Sequence, residues 1–75
     1  MMSSMMKPEP ANEAQKEIVH RIDNRARAIQ DGRGRWNLSE ILAEIKFAVT
    51  HEGNADNDRF AEQYAVWRSQ NPLEY

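Results

Sequence analysis

A chain of 75 residues with a net charge of −2, 40% hydrophobic residues and no cysteine allows one small domain and excludes disulfide staples and a thiolate metal centre. A body of about 60 residues buries only about 60% of its extended-chain surface, so a chain this small gains stability by oligomerising or by docking on a partner. No apolar run approaches the length of a membrane span and no segment has the layout of a secretory signal, which together with the missing cysteines points to a cytoplasmic protein.

Residues 1–10 hold four methionines, Pro8 and Pro10 and read as a disordered leader; 11–75 read as a single helical domain. The first helix is expected over about 11–31. Either Pro10 stands at its first turn, or Asn12 caps it with Gln15 at the capping-box position. Ile18, Ile22 and Ile29 share a face with Ala11, flanked by Val19 and Ala26 and interrupted by Arg25. Gly32 ends the helix, and Gly32-Arg33-Gly34-Arg35 makes a short basic connection.

The second helix, about 38–52, carries the strongest signals. Asn37 is an N-cap with Glu40 three residues on, and Trp36 and Ile41 can close a hydrophobic staple across it. Leu38, Ile41, Leu42, Ile45, Ala48 and Val49 recur at i, i+3, i+4 and i+7, spanning an arc of about 120°, and Gly53 supplies the stop. Phe47 falls roughly opposite the centre of that arc, inside a rim of Glu40, Ala43, Glu44, Thr50 and His51. An aromatic anchor within a polar rim has the composition of an interaction spot. The alternative is that helix one or the C-terminal tail wraps over Phe47 and makes it core.

The turn Gly53-Asn54-Ala55-Asp56-Asn57-Asp58 offers several caps for a third helix over about 56–69, with Asp56 the choice made here; its acids also suit the positive end of the helix dipole. Phe60, Tyr64 and Trp67 line one face at i, i+4 and i+7 beside Ala61 and Ala65, a spacing that indicates core rather than a ligand cage. Val66 lies off that stripe. Leu73 and Tyr75 in the tail can fold back. With no strand-like alternation, the chain is all-α: a small three-helix bundle, or a helical hairpin plus an N-terminal helix completed by dimerisation.

Catalytic and cofactor signatures are missing. His20 and His51 have no nucleophile placed to be activated, so no catalytic residue and no cofactor is expected. Asn54-x-Asp56-x-Asp58 resembles the opening of a calcium loop, but the sixth and twelfth positions hold Arg59 and Ala65 instead of Gly and Glu. His51, Glu52 and Asp56 make a weak zinc set, and no metal is expected. Asn37-Leu38-Ser39 matches a glycosylation triplet but is better used as a cap.

Charge divides the chain: residues 20–35 carry +3 (Arg21, Arg25, Arg27, Arg33 and Arg35 against two acids) and residues 36–75 carry −4. Two function classes follow. The first is a non-enzymatic helical interaction module, an adaptor, regulator or inhibitor of a larger protein or a homodimer. Phe47, Glu40, Glu44, Ala43 and His51 would form its contact. Small unstapled chains of this size and composition are common among bacterial and phage regulators. The second is a nucleic-acid-associated regulator that uses Arg21, Arg25, Arg27, Arg33 and Arg35 on a dimer, with Trp36 available to stack on a base. The acidic second half counts against it, as does the acidic start of helix three, which would meet phosphates with the wrong charge in a helix-turn-helix arrangement.

Overall fold

The computed structural model describes residues 6–32, 34–49 and 54–74, with residues 48 and 49 described through their backbone alone. Three helices, α1 (Glu13–Gln30), α2 (Leu38–Val49) and α3 (Ala55–Gln70), pack mutually as a three-helix bundle. No described helix is long and apolar enough to cross a membrane.

Each helix starts on an asparagine. Asn12 is extended (φ −150°, ψ 177°) and its Oδ1 accepts from the Gln15 amide at 2.8 Å. Gln15 Oε1 returns the contact to the Ala11 amide at 2.7 Å, a capping box displaced by one residue. Asn12 therefore caps α1, and Pro10 precedes the helix. Asn37 accepts from the Glu40 amide at 3.1 Å, as its spacing predicts. In α3 the cap is Asn54, whose Oδ1 accepts from the Asn57 amide at 2.9 Å, and not Asp56. The helix begins one residue earlier than expected, which places Asp56 and Asp58 in the first turn, where their charge opposes the helix dipole. Asn54→Ala should therefore cost about 1 kcal/mol of stability and Asp56→Ala a few tenths, read from urea unfolding midpoints. Equal losses would put the cap back at Asp56.

Gly32 ends α1 at φ +81°, the left-handed conformation that a β-carbon disfavours, and its amide reaches the Ile29 carbonyl at 3.0 Å. The stop expected at Gly53 and the last turn expected for the second helix, 50–52, lie outside the described residues.

Side-chain bonds fix the topology. Residues 12 and 15 meet 57, Asp23 meets Tyr64 and Arg68, and Gln30 meets Leu73, so α1 and α3 run parallel. Between them α2 runs antiparallel, with Glu44 beside Arg21 and Glu40 beside Arg25. This up-down-up arrangement follows from short connections, which force sequential helices to reverse.

The core comprises Ile18, Ile22, Ile41, Ile45, Phe60, Ala61, Tyr64 and Ala65, with Val19, Ile29, Trp36, Leu38, Leu42 and Trp67 packed against it. Ala26 is also buried, whereas Ala11 is exposed because α1 begins two residues beyond it. Ala48 and Val49, expected in the same stripe, have side chains outside the described residues. Phe60 and Tyr64 are stacked with centroids 5.9 Å apart, and Tyr64 and Trp67 are tilted at 5.8 Å. The aromatic stripe is thus core for its first two members, while Trp67 is half-buried with Lys7 Nζ 5.6 Å above its ring. Residues 6–11 are non-helical, and Pro8 and Pro10 are half-buried. The tail is clipped to α1: the Leu73 amide donates to Gln30 Oε1 at 2.6 Å, and Gln30 Nε2 donates to the Leu73 carbonyl at 3.1 Å.

Candidate interaction surface

Two polar clusters and one open face carry the chemistry of the molecule. At one end, Asn57 Oδ1 accepts from Gln15 Nε2 at 3.0 Å and Asn12 Nδ2 at 3.2 Å, joining the capped starts of α1 and α3. Midway along the same helix pair, Asp23 Oδ1 accepts from Tyr64 Oη at 2.8 Å and from Arg68 Nε at 3.0 Å. Arg68 also donates to Tyr64 Oη and to the Asn71 carbonyl, and its guanidinium lies 4.8 Å above the Trp67 ring. With each of its three nitrogens donating one bond, to carboxylate, carbonyl and hydroxyl, a buried guanidinium is tolerated here.

Burial raises the Tyr64 phenol above its usual value; the hydrogen bond from Arg68 opposes the shift and Asp23 adds to it. The phenol stays neutral in the fold at pH values where the unfolded chain has released the proton. Its contribution to stability is therefore complete below pH 10 and falls as pH rises from there through the raised folded value. Wild type should lose stability more steeply than Tyr64→Phe above pH 10, measured by urea unfolding across that range. Parallel curves would mean the phenol titrates normally. Both clusters are committed to internal contacts and hold the fold.

The open face lies on α2 and the α1 surface beside it. With Ile41 and Ile45 turned inward, helical spacing places Glu40, Ala43, Glu44 and Phe47 outward, and all four are exposed. Phe47 is 83% exposed; neither α1 nor the described part of the tail, which is tied to Gln30 through Leu73, covers it. Two adjoining shallow clefts run between α1 and α2. Arg21, Asn24, Arg25, Ala28 and Glu44 line one, and Arg25, Arg35, Asn37 and Glu40 are among the residues that line the next. Arg21, Arg25 and Arg35 are thus brought to the same walls as Glu40 and Glu44.

The remaining sequence candidates fall elsewhere. Arg27 projects from another side of α1, exposed and bonded to Asn24 at 3.2 Å. Arg33 and His51 lie outside the described residues. Trp36 is half-buried on the core, and its Nε1 is buried without a partner among the described residues. Its ring packs against the core and lines a different cleft from that of Arg21, Arg25 and Arg35. Among the described residues no three metal-ligating side chains converge.

Sequence reasoning missed Arg68, Asp23 and Asn57 as structural determinants, and it placed Gln15 at the capping box without its bond to Asn57. The available signal was positional: Asn57 and Arg68 extend the 60-61-64-65 stripe by one turn each way, and Gln15 does the same for the 18-22 stripe. No protein family, curated protein or solved structure matches the chain.

Proposed function

We propose that this chain is a non-enzymatic helical protein-interaction module, an adaptor, regulator or inhibitor that docks its α1–α2 face on a larger protein. The observation that carries the reading is Phe47, a large aromatic left 83% exposed on a helix whose opposite side is committed to the core. Glu40 and Glu44 flank it on the same face and would set register against a basic partner, with Ala43 leaving room for close approach. A cytoplasmic setting belongs to the proposal and rests on the cysteine-free composition.

The second reading, a nucleic-acid-associated regulator, is favoured by Arg21, Arg25 and Arg35 lining one pair of clefts. Two carboxylates on the same walls weigh against it, since a phosphate backbone entering the groove would meet them at close range. The partial burial of Trp36 against the core leaves less of its ring for stacking.

The test compares partner retention from nuclease-treated lysate by tagged wild type, Phe47→Asp and Arg25→Ala/Arg35→Ala. Phe47→Asp should weaken retention about thirtyfold or more with its thermal melt nearly unchanged, because the side chain adds little to the fold. The arginine variant should change it far less. Loss of all partners on nuclease treatment, with binding that weakens steeply with salt and fails only in the arginine variant, would sink the module reading.

A further inference from the structure

The α1–α2 face holds charges of both signs that find no partner among the described residues. Arg25, Arg35 and Glu40 share one cleft, and Arg25 and Glu44 share the next. All four side chains are exposed, and none forms an ion pair or side-chain hydrogen bond among the described residues. A two-fold interface uses the same patch on both copies, so a residue on one side of the patch meets a residue from the other side, and the contact is repeated in reverse across the axis. A face of one sign would repel its copy. A face with arginines on one wall and glutamates on the other is complementary to itself.

We infer that this face pairs with a second copy of the chain. In the two-fold dimer Phe47 of each copy is buried against the other, and Arg25 and Arg35 of one copy answer the partner's Glu40 and Glu44. Ala43, beside Phe47 on the side away from the glutamates, is small and exposed and lets the two α2 helices approach. A stable dimer needs about 800 Å² from each partner, roughly a seventh of the 5291 Å² surface of this chain. A face built from one side of α1 and one side of α2 can supply that area. The inference rests on reading this face as protein-binding and adds that the free chain occupies it with its own copy.

Charge reversal in two halves tests the pairing. Sedimentation equilibrium of the 75-residue wild-type chain should give twice its 8.7 kDa mass. R25E/R35E and E40R/E44R should each weaken self-association about thirtyfold or more, because both copies then present like charges. An equimolar mixture of the two variants should restore the dimer, since every reversed residue then meets its complement. R27E/R59E, an equal change of charge off this face, should dimerise like wild type; circular dichroism confirms that every variant is folded. A mixture that stays monomeric, or a dimer indifferent to both reversals and to Phe47→Asp, overturns the inference. A monomeric wild type whose larger partner is still lost with Phe47→Asp overturns the dimer and leaves the interaction-module reading standing.

Discussion

Asp23→Ala should destabilise the fold by about 3 kcal/mol, as large a loss as any single change outside the apolar core. The variant removes the acceptor shared by Tyr64 and Arg68 and leaves the Arg68 guanidinium buried beside a lone hydroxyl and a carbonyl. The Arg68 side chain is 9% exposed and that of Asp23 25%. The desolvation of the arginine then goes uncompensated, which places the loss at the lower end of the range for breaking a buried pair. For a domain of this size each kcal/mol shifts the melting temperature by roughly 4–8 °C, so the effect is visible in a thermal scan. Asp23→Leu/Arg68→Met, which removes both charges and fills the space, should recover most of it. A loss below about 1 kcal/mol in the single variant would mean that Arg68 escapes to solvent and the clasp is a surface pair.

Ile45→Ala should cost a similar amount, about 3 kcal/mol. Ile45 is 1% exposed, and together with Ile41 it holds α2 onto the other two helices. Truncation removes the transfer energy of the side chain and leaves a cavity that a bundle locked by polar clasps can only partly close. Phe47→Ala, two residues further along, should move stability by no more than about 0.5 kcal/mol. The contrast separates the two faces of one helix. Comparable losses at both positions would make Phe47 core and remove the ground for treating it as a contact residue.

The start of α2 and the inward stripe Leu38, Ile41, Leu42 and Ile45 could be read from the chain because cap, staple and periodicity are local and agree. Ile18, Ile22, Phe60 and Tyr64 were legible for the same reason. What holds α1 to α3 was not: Asp23 and Tyr64 stand 41 residues apart, and Gln15 and Asn57 42. No local pattern states which polar residue will find a partner across a bundle. Arg68 reads as a surface cation until Asp23 is placed beside it. The choice between Asn54 and Asp56 was likewise open, since both residues cap well. Starting α3 at Ala55 puts Asn57 within reach of Gln15 and Asn12, a tertiary contact that settles the register. For the candidate face, the separate residues Phe47, Glu40, Glu44 and Arg25 were named from spacing. That Arg21, Arg25 and Arg35 share walls with the two glutamates depends on α2 lying antiparallel to α1, which only the assembled bundle reveals.

Chemical-shift mapping of the isotopically labelled 75-residue chain, followed from dilute to concentrated solution, tests most directly whether the α1–α2 face is the contact surface. Concentration-dependent shifts are expected at Glu40, Ala43, Glu44 and Phe47 and at Arg21, Arg25 and Ala28, with Tyr64, Arg68 and the Gln15–Asn57 end unmoved. Shifts confined to Trp67 and the N-terminal segment, or none at any concentration while the chain sediments as a dimer, would contradict it.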